Sequence, residues 1–129
     1  MLNQIGNYSL YIALLSSILI IIQYPILLNK NNINVSGRIF SLISIQSLMI
    51  IISFIALIIA FIISDFSNET VYNNSHTSKP LFYKISGTWG NHEGSLLLWL
   101  LVLSIFLLIF TITSKNLSNK YRILTLFFQ

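Results

Sequence analysis

The chain has no cysteine and very little charge. Of its 129 residues, 8% are charged, and only three of those are acidic. Without cysteine the chain supplies no disulfide, no thiolate metal site and no thiol nucleophile. An ordinary soluble domain carries about 25% charged residues, so the charge content alone excludes that class. Disorder is excluded as well, because it requires low hydrophobicity with high charge, whereas 55% of this chain is hydrophobic. The catalytic motifs that spacing reveals are missing too. There is no HExxH, no Ser-His-Asp logic and no phosphate-binding glycine loop, and no catalytic residue is assigned. No internal repeat and no heptad pattern is visible.

What is present is apolar sequence of membrane-spanning length. Three uncharged or nearly uncharged runs cover residues 8–28, 39–63 and 95–114. About 20 apolar residues, rising 1.5 Å each, cross a hydrocarbon core of roughly 30 Å. The expected fold is therefore all-α: a polytopic integral membrane helical bundle, in contact with lipid, forming one unit over 1–129. The second run is long enough to tilt. A further apolar run begins at Ile123 and reads as the start of a fourth span. The first run lacks a basic flank and is too long for a signal-peptide core, so it is expected to stay as a span.

The net charge of +4 and pI near 9.6 do not point to nucleic acid. The basic residues form no run and flank the apolar segments, as membrane topology requires. Lys30, Arg38, Lys115, Lys120 and Arg122 fall on one side of a three-span unit. The other side carries residues 1–7, without a basic side chain, and residues 64–94, where Lys79 and Lys84 are offset by Asp65, Glu69 and Glu93. The positive-inside rule places the N-terminus and the 64–94 loop outside. Outside is the periplasm, or the intermembrane space if the membrane is mitochondrial. Within the second span, Ser41, Ser44 and Ser47 recur every three residues beside Gln46. Such a stripe serves helix packing. The alternative, a polar translocation path, calls for ionisable groups inside the spans, and there are none. The frequent Ile and Asn, 24 and 12 residues, reflect an AT-rich coding composition.

The 64–94 loop carries the chemistry. It begins polar, turns aromatic at Pro80-Leu81-Phe82-Tyr83-Lys84, and ends in Trp89-Gly90-Asn91-His92-Glu93-Gly94-Ser95 ahead of Trp99. Asn91 reads as the N-cap of the third span, with His92 and Glu93 in its first turn. Glu93 then faces the positive end of the helix dipole. Gly87, Gly90 and Gly94 permit close approach of another surface. His92, Ser95 and Trp99 share one helix face. Two readings fit. One is a capped helix start with tryptophans anchored at the interface. The other is a site at the outer surface, with His92 as ligand or acid/base and Trp89 as a stacking surface. A single His-Glu pair does not make a zinc site, which needs three or four ligands, so no metal is assigned. His76 lies in the polar stretch as a solvated loop histidine or a second member of that site. Asn68-Glu69-Thr70 and Asn73-Asn74-Ser75 match the glycosylation pattern, which an Asn- and Ser-rich chain produces by chance.

The stretch from Ser64-Asp65-Phe66-Ser67 through Asn74-Ser75, Pro80 to Lys84, and Trp89 to Trp99 resembles the N-terminal part of CcmF. That family is the large haem lyase subunit of the multi-component cytochrome c maturation system. Ile5-Gly6-Asn7-Tyr8-Ser9-Leu10 is similar to the family's opening. His76-Thr77 and Lys79-Pro80 look most like mitochondrial or AT-rich alphaproteobacterial members. The resemblance implies a function in cytochrome c-type biogenesis at the bacterial or mitochondrial inner membrane. Haem would be received from a haem chaperone at the outer face. It would be joined through its vinyl groups to the Cys-x-x-Cys-His thiols of apocytochrome c, which thiol-reducing subunits keep available. The family also holds a haem b in the membrane and has more spans. Its Trp-Trp-Asp segment and its usual haem-ligating histidines lie beyond residue 129. The resemblance therefore implies a chain that supplies the outer-loop platform and packing helices. Trp89, Gly90, His92, Glu93, Gly94, Ser95, Trp99 and His76 would face haem or a partner. The haem ligands, like the remaining part of the lyase, would lie outside this chain, an N-terminal piece or one subunit of a split gene that is no competent lyase by itself. The alternatives are a non-catalytic membrane scaffold of an assembly complex, or a transporter fragment.

Overall fold

The computed structural model describes the backbone of residues 2–29 and 33–114 and the side chains of residues 2–23 and 37–114. Lys30, Lys115, Lys120, Arg122 and the apolar run from Ile123 lie outside the described residues. Every described element is helical: α1 (Leu2–Asn29), α2 (Ile33–Ile63), α3 (Glu69–Asn74), α4 (Leu81–Gly87) and α5 (His92–Thr113). Three stretches are long and apolar enough to cross a membrane: Leu2–Gln23, Gly37–Ile63 and His92–Thr113.

Their limits differ from the apolar runs for a local reason. A helix starts at its cap, not at its first apolar residue. The third span begins at His92, three residues before 95, because Asn91 caps it. The first begins at Leu2 rather than 8, since Asn3, Gln4 and Asn7 are polar but no proline interrupts the helix there.

Helix α2 is the centre. Both α1 and α5 pack on it, and α4 touches its end. The buried positions of α1 are Ser9, Ala13, Ser16 and Ile20, spaced four, three and four. Those of α5 are Gly94, Leu97, Ser104, Leu107 and Thr111. This is a coiled-coil-like seam rich in small and hydroxyl residues, with Ile20, Leu97 and Leu107 among them, while other large apolar side chains such as Leu14, Ile21, Phe106 and Ile109 are exposed. In lipid, tight packing rather than apolarity brings helices together. A heptad search by apolarity therefore finds nothing.

The serine stripe of α2 separates into different roles. Ser47 is buried and its Oγ donates to the Ser104 carbonyl on α5 at 3.1 Å. Ser44 turns back to Phe40 O at 2.9 Å on its own helix, and Ser41 is exposed. The packing face runs instead through Ile39, Ile43, Ser47, Ile50 and Ser53, following the 3.6-residue turn rather than a three-residue interval. Ser47→Ala is expected to weaken the bundle by about 0.6 kcal/mol, the mean for such bonds in membranes, with Ser41→Ala neutral. Denaturant titration in mild detergent reads both.

Two apolar clusters hold the ends. Ile20, Ile39, Ile43 and Leu107 form one. Ala60, Phe61 and Val71 form the other, where α3 sits against the end of α2. Helix α2 closes with paired bonds, Ser64 N to Phe61 O at 3.2 Å and Asp65 N to Ala60 O at 2.9 Å. That Schellman geometry puts Ser64 at φ 56°, a place usually held by glycine. Ser64 Oγ accepts from Lys84 Nζ at 2.7 Å, which ties α4 to the same corner.

Candidate functional site

Residues 64–94 are not an open loop. They fold into a cap over one end of the bundle. Asn68 sets its first half. Its Oδ1 accepts from Thr70 N at 2.9 Å and Val71 N at 3.4 Å, starting α3. Its Nδ2 donates to Asn3 Oδ1 at 3.1 Å, so the start of α1 and the cap occupy the same end. That role explains Asn68 without glycosylation. Asp65 Oδ1 accepts from Ser67 Oγ at 2.6 Å and Ser67 N at 3.1 Å. These bonds stabilise the carboxylate and hold its pKa below the usual value.

The second half is built around Asn91. Its Oδ1 accepts from Gly94 N at 2.7 Å, capping α5. Its Nδ2 donates to Gly87 O at 2.8 Å and Thr88 O at 3.3 Å, closing the end of α4. One side chain thus joins two helices across the four-residue connection from Thr88 to Asn91. Gly94 lies directly under that turn, and a Cβ there would run into the Thr88 carbonyl oxygen. Gly87 rests on Phe61, with room for a Cβ only 3.3 Å from its ring. Thr88 is fully buried, and its hydroxyl has no partner among the described residues. Gly90 N donates to Ser86 O at 3.1 Å.

This turn presents the residues singled out in the sequence. Trp89 is 42% exposed and Trp99 is 67% exposed. Gly90, His92 and Glu93 are exposed, and Ser95 is half-buried with its Oγ donating to His92 O at 2.9 Å. His92, Ser95 and Trp99 share the outward face of α5. His76 stands apart, exposed after α3, its carbonyl accepting from Lys79 N at 3.2 Å. No hydrogen bond joins it to His92. Among the described residues no three of His, Cys, Asp or Glu come together to hold a metal ion. A tetrapyrrole would meet one exposed imidazole and exposed indole surface here, without facing ligands. Asn91 was legible as a cap. The pairing of Asn3 with Asn68 spans 65 residues and leaves no local pattern.

The fold and the site define a polytopic helical membrane protein in which, among the described residues, three helices long and apolar enough to span a membrane carry a folded cap at one end. The comparisons name its kind. The chain is 36% identical over 122 residues to a cytochrome c-type biogenesis protein CycK of Rhizobium meliloti, covering 95% of this chain and 18% of that protein. It is 60% identical over 58 residues to the cytochrome c-type biogenesis protein ccl1 of Rhodobacter capsulatus, 45% of this chain and 9% of the relative. It is 36% identical over 107 residues to the cytochrome c-type biogenesis protein CcmF of Escherichia coli, 81% of this chain and 16% of the relative. The chain is of the CcmF type, and its relatives indicate cytochrome c-type biogenesis. It spans less than a fifth of the length of these curated relatives. No family model and no solved structure matches it.

Proposed function

We propose that this chain forms the outer-face platform of a CcmF-type haem lyase, beside which haem meets apocytochrome c. The observation that carries the proposal is the turn Thr88 to Gly94. It is locked from inside by Asn91, and it holds Trp89 and His92 at the surface. Trp89 is the flat apolar face on which a planar cargo stacks. His92 is the group that donates or accepts a proton, or approaches an iron, beside it. The helices supply packing surfaces for the rest of the lyase, and the haem ligands come from there. A haem chaperone and the thiol-reducing subunits are the partners this placement calls for.

In the full-length protein, Trp89→Ala and His92→Ala are expected to lower covalent haem staining of c-type cytochromes several-fold, with unchanged protein in the membrane. Normal staining in both would overturn the proposal. The platform must also face outward from the inner membrane. The cap has no cysteine of its own, so an introduced thiol reports on it when labelling is compared with the parent protein. Ser78→Cys, on the exposed cap, is expected to react with a membrane-impermeant maleimide in intact cells or mitoplasts. Labelling only after membrane disruption would place the cap on the wrong side.

A further inference from the structure

Helices α1 and α5 both pack on α2 and barely on each other. At the capped end this leaves a half-open groove of about 260 Å³. Its floor is small, made by Gly6, Ser53, Ala56 and Ala60. Its walls are Leu10 on α1 and Leu96, Leu97 and Leu100 on α5. Its mouth is polar, with Asn3, Asn7, Asn68, Thr70 and Glu93. From Glu93 to Leu100 the groove runs seven residues down α5, about 10 Å. Leu96 and Leu100 are 54% and 49% exposed, so the groove is continuous with the lipid-facing surface of the spans.

We propose that this groove binds a single phospholipid whose headgroup carries a primary amine. Three observations converge. The groove is apolar at depth and polar at the end of the spans, the same order as a lipid standing in a leaflet. It admits a hydrocarbon chain but not a helix, which with its side chains is about 10–12 Å across. Its charge is specific as well. Among the described residues Glu93 is the only ionisable one that lines it, and none of the described lining side chains is basic. Glu93 stands in the first turn of α5. It accepts an ammonium group and repels an anionic headgroup. The Asn3 and Asn7 amides beside it are donors for the phosphate. Glu93 is exposed at the groove mouth, where its carboxylate accepts N–H hydrogen bonds from a primary ammonium, bonds that the trimethylammonium of a choline headgroup cannot donate.

The test uses the full-length protein in nanodiscs of phosphatidylethanolamine, phosphatidylglycerol and phosphatidylcholine in equal parts. After transfer to mild detergent, retained lipid is counted by native mass spectrometry. The expected result is preferential retention of phosphatidylethanolamine. Glu93→Gln should lose that preference several-fold, and Glu93→Lys should turn it toward phosphatidylglycerol. Leu100→Trp, which fills the groove from an exposed wall without entering the α1–α2 seam, should lose the bound lipid. Equal retention of all three lipids overturns the proposal. So does undiminished retention in Leu100→Trp, the outcome if a helix of the longer protein covers the groove. The readout is lipid mass, so it stands or falls independently of haem staining.

Discussion

Gly94→Ala should unseat the cap. A methyl group there meets the Thr88 carbonyl, a backbone atom in a turn held at both ends by Asn91. No flexible side chain can give way. Forcing extra volume into a packed site costs typically 1–3 kcal/mol and sometimes more. A backbone collision belongs at the upper end, about 3 kcal/mol. The relief available is to shift α5 away from α4, which breaks the Asn91 cap. Trp89 and His92 lose their placement with it, and haem staining should fall to near background in the full-length protein. The other glycines grade the effect. At Gly90 a Cβ would lie 3.3 Å from Ser86 O, a contact that a small adjustment relieves. At Gly6 it would lie 3.7 Å from Ala56 Cβ, an ordinary distance, and alanine in a helix is favoured by roughly 0.5–1 kcal/mol. Unfolding midpoints should therefore rank Gly94→Ala far below Gly90→Ala, with Gly6→Ala at or above the parent. Equal midpoints for Gly94→Ala and Gly6→Ala would contradict the packing described.

The difference between those glycines marks where sequence reading stops. The spans were legible because lipid imposes length and apolarity on every residue of a run. The cap of α5 was legible because Asn91, His92 and Glu93 are adjacent. The seam was not, because its positions, Ser9, Ala13, Ser16 and Ser104, are less apolar than the lipid-facing ones. A search for hydrophobic periodicity looks for the opposite. The serine stripe was half legible: Ser47 packs, while Ser41 and Ser44 do not. Helix α3 was hidden because six residues with one capping asparagine read as loop until Val71 finds Phe61. The groove beside Glu93 arises from two helices failing to meet, which no local pattern encodes.

The last test separates the two jobs of Asn91. Asn91→Ala removes the cap, about 0.5–2 kcal/mol. It also removes two bonds to Gly87 O and Thr88 O, worth roughly 0.5–1.5 kcal/mol each. A total near 2–4 kcal/mol is expected. Asn91→Asp keeps the acceptor for Gly94 N and gains about 0.3–1 kcal/mol from the helix dipole. It has no donor for either carbonyl, and its charge is repelled by both. If capping alone mattered, Asp would equal or exceed Asn in stability. If the link between α4 and α5 matters, Asp should fall between Asn and Ala. We expect the second order. Hydrogen exchange distinguishes the jobs without reference to activity. In Asn91→Asp the Gly94 amide should stay protected while the Gly90 amide, bonded to Ser86 O, exchanges faster as the end of α4 frays. In Asn91→Ala both should exchange faster. Haem staining that follows Gly90 exchange across this series, with Gly94 protection unchanged in the aspartate variant, would identify Asn91 as a positioning residue. Its contribution is the fixed relation between two helices, and Trp89 and His92 take their places from it.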